Sequence, residues 1–178
     1  MSQVWSEINK VVNVSEPAAH AGTTTSYYTD IVNMENYKKC TFILASGSTG
    51  AANSPVITVV TGASSTAATT AIAFKYRTQI ASTGACSLTG GDVPSVLTTT
   101  TGTAGFAISS GKAGGVYIIE VDAADVAAGT TTSAATDYDH VALKISTGAT
   151  EAAHIYGIIA VLSEPRYPQA ILDTAIGD

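Results

Sequence analysis

The chain reads as all-β, an antiparallel β-sandwich or jelly-roll-like fold with a short N-terminal arm. Apolar residues recur at every second position in one segment after another. Stretches rich in glycine, serine, threonine, asparagine and aspartate separate those segments at intervals of roughly 10 to 20 residues. No long amphipathic helix pattern appears, which disfavours an α/β sheet. At 178 residues the chain is long enough for a single domain with a sizeable core.

Taken in order, MSQVWSEINKVVNV is apolar at Val4, Trp5, Ile8, Val11, Val12 and Val14. Its first part fits one or two helical turns, with Ser2 as a candidate cap. KVVNV is β-branched and reads as a strand. SEPAAHAGTTTS, residues 15–26, reads as a polar linker or long loop. Two readings of this end stand open: an arm that docks on a partner chain, or a strand that completes its own sheet.

YYTDIVNM ends in a turn at Glu35–Asn36, and KKCTFILAS alternates into a continuous apolar run, as a strand buried on both faces would. GSTGAANSP is a loop ended by Pro55, and VITVVTGAS is the next strand. In TAATTAIAFKYRTQ, Ile72, Phe74 and Tyr76 alternate with Ala73, Lys75 and Arg77, which is strand spacing. Residues 81–115 form a Thr/Gly-rich insertion with apolar islands at Val93–Leu97 and Phe106–Ile108, read as an ordered, loop-rich hairpin. GVYIIEVDAAD, HVALKIS and HIYGIIAVLSE supply the remaining strands, and PRYPQ follows the last. The resulting plan is an arm and linker over residues 1–26 and a sandwich over residues 27–178.

Composition narrows the function classes. Charged residues are 12% of the chain, about half the usual share, and threonine, alanine, glycine and serine take their place. Such a hydroxyl-rich surface suits burial against neighbours better than free diffusion. The net charge is −6, and the eight basic residues are scattered, with only Lys38 and Lys39 adjacent. Phosphate neutralisation needs clustered lysine and arginine, so no direct nucleic-acid partner is expected. No apolar run approaches the roughly 18 residues of a membrane helix, and the first residues do not form a signal peptide, so no membrane partner is expected either. Cys40 and Cys86 are the only cysteines and read as small buried thiols.

DYDHVALKIS is the stretch where chemistry would be sought. Asp137 and Asp139 lack a nucleophile or pocket to act on, and Asp122 and Asp125 of VDAAD add oxygen ligands without a calcium-loop pattern. The preferred reading is that these aspartates start turns and bond nearby N–H groups. His20, His140 and His154 show no zinc spacing. GACSL and GASS lack the strand–elbow–helix context of a nucleophile, and no helix follows GSTGAANS or TGTAG to present its N-terminus to a phosphate. No catalytic residue, cofactor or metal is expected, and the chain is not read as an enzyme.

Three stretches carry a family resemblance: DIVNMENYKKCTFILASGS, VYIIEVDAADVAAG with YDHVALKIS, and HIYGIIAVLSEPRYPQA. Together they are about a third of the chain. They resemble small β-rich virion proteins of tailed bacteriophages, particularly head decoration (cement) proteins. The shared features are a polar turn that introduces a buried strand, an Asp-rich turn between strands, and a closing strand with an arginine-bearing, proline-flanked tail. The resemblance implies a structural virion protein, made in the host cytoplasm and placed on the capsid exterior. Its partners would be major capsid protein subunits and copies of itself as a homo-oligomer. Candidate interface residues are Val4, Trp5 and Ile8 in the arm and Arg166 and Tyr167 in the tail, the alternative for the tail being that it packs along its own sheet. A neck or tail component is the alternative within virions. A carbohydrate-binding sandwich would recruit Tyr27, Tyr28, Tyr138 and Tyr156, but the single tryptophan argues against it.

Overall fold

The alternating and β-branched runs become strands, and the small polar stretches between them become connections. A computed structural model describes residues 4–20, 26–47, 54–79, 93–108, 114–130, 137–146, 154–167 and 175–176. The first half contains α1 (Trp5–Ile8), β1 (Lys10–His20), β2 (Tyr27–Tyr28), β3 (Val32–Asn33), β4 (Tyr37–Ser46), β5 (Val56–Gly62), β6 (Thr70–Ile72) and β7 (Phe74–Gln79). The second half contains β8 (Thr98–Thr100), β9 (Phe106–Ala107), β10 (Val116–Asp122), α2 (Ala123–Ala128), β11 (His140–Ser146) and β12 (His154–Pro165).

The strands form two six-stranded antiparallel sheets. The first runs β1-β12-β4-β10-β7-β8; the second runs β2-β11-β5-β6, with β3 also on β11 and β9 also on β5. One continuous core lies between them. The first sheet contributes Cys40, Phe42, Leu44, Tyr117, Ile119, Tyr156, Ile158 and Leu162, and the second contributes Ile57, Val59, Val141, Leu143 and Ile145. Threonine hydroxyls satisfy buried backbone. Thr61 Oγ1 donates to the His140 carbonyl (2.8 Å), and Thr29 Oγ1 accepts the Leu143 N–H (3.1 Å). Part of the hydroxyl-rich composition therefore serves the interior, where an unpaired N–H or C=O would be costly.

The structure departs from the sequence reading in four places. First, residues 10–20 are not arm and linker: β1 pairs with β12 from Lys10↔Leu162 to His20↔His154. Val12 and Val14 point into the core, and that burial draws the segment onto its own sheet. The strand continues through Ser15 and Pro17 because register shifts between Asn13 and Ser15 and between Ser15 and Ala18 accommodate them. A proline is tolerated there because an edge strand leaves alternate N–H groups unpaired. Only α1 remains as a short arm. Its N-cap is Val4, whose N–H donates to Glu7 Oε2 (2.9 Å), and Ser2 lies outside the described residues.

Second, TAATTAIAFKYRTQ is two strands. β6 pairs with β5 in the second sheet, while β7 pairs with β10 in the first, so the chain changes sheets at Ala73. The alternation of Ile72, Phe74 and Tyr76 persists because the core lies between the sheets on both sides of the crossing. Third, AADVAA after β10 is the helix α2, anchored by buried Val126; its six residues are too few to give a sequence period. Fourth, β4 is not buried on both faces. Thr41 and Ile43 are half-buried and Ala45 is exposed on the outer side. Within the insertion, Phe106 belongs to β9, but Val93–Leu97 is an exposed loop and the nearby strand is the threonine run β8.

Gly105 ends the loop into β9 at φ +58°, and a Cβ there would lie 2.2 Å from the Ile57 carbonyl oxygen. Both a left-handed backbone and a backbone clash therefore oppose any larger residue. Gly105→Ala is expected to cost about 3 kcal/mol, from about 1–2 for the conformation and a similar amount for displaced backbone. A chemical-denaturation midpoint unchanged from wild type would show that this loop adapts freely.

Candidate interaction surface

The antiparallel pairing of β1 with β12 brings the candidate interface residues to one end of the first sheet. Lys10 lies opposite Leu162, so α1, which precedes Lys10, sits beside the C-terminal end of β12. Val4 and Trp5 are 60% and 55% exposed there, and Ile8 is half-buried. The last pair of β12 is Pro165↔Tyr37. The Arg166 N–H then donates to the Asn36 carbonyl (2.9 Å), which ties the exit of the chain to the turn before β4. Arg166 is exposed, and Tyr167 is 65% exposed just beyond it.

The same end holds the DYDH stretch. The Met34 N–H donates to the Asp139 carbonyl (2.8 Å), and the Tyr138 N–H donates to Thr130 Oγ1 (2.9 Å). Asn33 Oδ1 accepts the Glu35 N–H (2.7 Å), closing the neighbouring turn. The sequence reading gives Asp137 and Asp139 no pocket; in the structure they line, with Tyr138, Glu35 and Arg166, a cleft of about 230 Å³ where the turn before β4 meets the start of β11. The Asp139 carboxylate contacts Nδ1 of the mostly buried His140 ring. Among the described residues that carboxylate is the ring's hydrogen-bond partner.

Other singled-out residues are dispersed. Among the described residues no group of His, Cys, Asp and Glu is arranged to hold a metal, so Asp122 and Asp125 do not join Asp137 and Asp139 as ligands. Asp122 instead occupies the N-cap position of α2, with Asp125 in its first turn. His20 and His154 are cross-strand partners in the first sheet, whereas His140 starts β11 in the second. Cys40 is fully buried, and that burial pushes its thiol well above the usual range, which leaves it protonated and inert. Cys86 and GACSL lie outside the described residues, as does most of GSTGAANS. GASS forms a tight turn at the end of β5 closed by the Ser64–Ala67 bridge, and TGTAG is the loop before β9. The four tyrosines form no shared platform. Tyr156 is in the core, Tyr27 donates to Ser15 Oγ (2.8 Å), Tyr28 lies under the Lys144 ammonium (5.9 Å), and Tyr138 packs against the core.

No family model matches the chain, and no curated protein matches it significantly. Its function is therefore argued from its surfaces.

The sequence reading missed one such surface, the outer face of the first sheet. Val11, Val161, Ile159, Ile43, Ile118 and Val116 all point outward there, and cross-strand pairing places Ile159 beside Ile43 and Ile43 beside Ile118. Val11 is 50% exposed and Ile159 37% exposed. The signal was present in the sequence. In FILA, VYII and IYGIIAVL the alternate positions are apolar or glycine, unlike those of a sheet with one solvated face. Charges gather at one side of this face. Lys39 Nζ pairs with Glu164 Oε1 at 2.6 Å, Glu120 lies across from Lys75, and Asp122 lies across from Lys39. Their shared hydrogen bond, ahead of the Coulombic attraction, raises the Lys39 ammonium's pKa and lowers that of the Glu164 carboxyl. The Glu164 contribution is present above its unfolded pKa and fades as pH falls through the folded value. Both side chains are exposed, so the pair contributes little.

Proposed function

We propose that this chain is a non-enzymatic structural virion protein that decorates a tailed-phage head, binding major capsid protein subunits and copies of itself. The observation that carries the reading is the gathering of Val4, Trp5, Arg166 and Tyr167, all exposed, at one end of the sandwich. Tryptophan, tyrosine and arginine are the residue types that dominate binding energy at protein interfaces. Here they project from backbone tied down by β1, β12 and the Asn36 turn, so little ordering entropy is lost when they dock. The resemblance of the three sequence stretches to decoration proteins supplies the partner class. The small charged fraction and scattered basic residues favour a protein surface over a nucleic acid.

The test is fractionation of virions into separated heads and tails, with this chain followed by mass spectrometry. The expected result is recovery with the heads, in many copies. Recovery with tails or necks alone would move the chain to a tube or collar role. Absence from both would end the virion reading.

A further inference from the structure

We infer that the outer face of the first sheet is a homotypic interface, on which a second copy of this chain packs face to face. The starting point is an asymmetry between the two sheets. On the second sheet the outward apolar residues are already covered: Val60 and Ala142 are buried in a small cluster with Ala68, against which Ile31 and Ala71 pack. On the first sheet the outward Ile159, Ile43, Ile118, Val161 and Val11 are as large or larger, yet they are half-buried or exposed. Three adjacent strands thus carry apolar residues on both faces, the pattern of strands in a sheet covered on both sides. A contiguous patch of this kind marks an interaction site rather than ordinary surface scatter.

Charge selects the occupant. The chain has 14 acidic and 8 basic residues, so two copies repel at most orientations. On this face, however, three basic residues (Lys39, Lys75 and Arg77) balance three acidic ones (Glu120, Asp122 and Glu164): Lys39 pairs with Glu164, Lys75 lies across from Glu120, and Arg77 donates to the Ser95 carbonyl. The face is neutral and therefore attracts neither a basic nor an acidic partner. It is where another copy approaches without net repulsion. The Ile159–Ile43–Ile118 row forms a ridge; in the next row, Gly157–Ala45–Val116, Ala45 is low while the Pro17 ring fills the space over Gly157.

Size is sufficient and modest. Strands β1, β12, β4, β10 and β7 at about 4.8 Å spacing, over about seven residues of about 3.3 Å each, give a flat area of about 550 Å² per copy. The pair would bury about 1,100 Å², at the lower edge of specific interfaces. A dimer that dissociates on dilution is the expected behaviour.

The test is sedimentation velocity of the full chain from high to low micromolar concentration, for wild type, Ile159→Lys and Val96→Lys. Val96, at 82% the most exposed large apolar residue among the described residues, lies in the loop before β8. That loop flanks the β7 edge through Leu97 and the Arg77–Ser95 contact but is outside the row of outward isoleucines. Wild type and Val96→Lys are expected to dimerise alike. Ile159→Lys is expected to weaken association by roughly a hundredfold or more, because each dimer would bury two unpaired ammonium groups, with an unchanged circular dichroism spectrum. Should Ile159→Lys unfold, Val11→Lys at a more exposed position on the same face repeats the test. A wild type that is monomeric throughout, a dimer indifferent to the lysine on this face, or one dissolved by Val96→Lys would overturn the inference. Head binding is scored separately. The homotypic interface deepens the self-binding part of the proposed function. A dimer that ignores heads sinks the head-binding reading alone, and a monomer that binds heads sinks this inference together with that self-binding part.

Discussion

Deleting residues 1–14 is expected to destabilise the domain by about 5 kcal/mol, whereas deleting residues 1–8 leaves its stability nearly unchanged. The longer deletion removes Val12 and Val14, whose burial is worth about 2 kcal/mol each, together with the β1 ladder from Lys10 to Asn13. It also removes the Val14 carbonyl that accepts the Asp30 N–H (3.0 Å) and leaves part of β12 as a new raw edge. Against a total of about 5–15 kcal/mol for a domain, that is a fall of roughly 10–20 °C in Tm. Among the described residues the shorter deletion removes Val4 and α1, none of which is buried. Thermal melts followed by circular dichroism distinguish the two. Equal melting of both deletions would mean that β1 is dispensable, and the edge-strand assignment would fail.

Phe106→Ala is expected to cost about 4 kcal/mol, the middle of the range for a buried aromatic truncated to alanine. Phe106 enters from β9 on the second sheet and meets rings of the first. It stacks on Tyr76 (4.3 Å between centroids, 11° between planes) and on Tyr117 (5.6 Å), with Phe74 edge-on at 6.1 Å. Its loss leaves a cavity between the sheets, and stacking adds about 1 kcal/mol beyond area. Phe106→Leu refills most of the volume, so it should lose only about 1–2 kcal/mol. Denaturant titration of both variants checks the order. A Phe106→Ala variant within 1 kcal/mol of wild type would show that the cluster does not bridge the sheets.

The alternation in KKCTFILAS, GVYIIEVD and HVALKIS made the sandwich legible, because a two-residue period leaves little choice of which side faces the core. Two things were not legible. The switch at Ala73 leaves no mark, since both strands send the same alternate residues inward and only pairing partners distinguish the sheets. Val12 and Val14 looked equally able to dock on a partner or on their own sheet, and proximity to β12, a tertiary fact, decides between them. For the interaction surface, residue types drew attention to Trp5, Arg166 and Tyr167, but only the antiparallel β1–β12 pairing puts them at the same end. The outward isoleucines are visible as broken alternation in KKCTFILAS and HIYGIIAVL, and in KKCTFILAS that pattern reads as burial on both faces. Burial on both sides is what those residues would have once a second copy is in place.

The measurement that bears most directly on the virion account is re-addition. Expanded heads are stripped of this protein, the purified chain is added back at low and at high salt, and bound copies are counted. The account predicts saturable rebinding that restores resistance of the heads to disruption. Salt should weaken it little, because apolar and aromatic contacts are not screened as charge pairs are. Failure to rebind heads under either condition, with binding to tails instead, would contradict it.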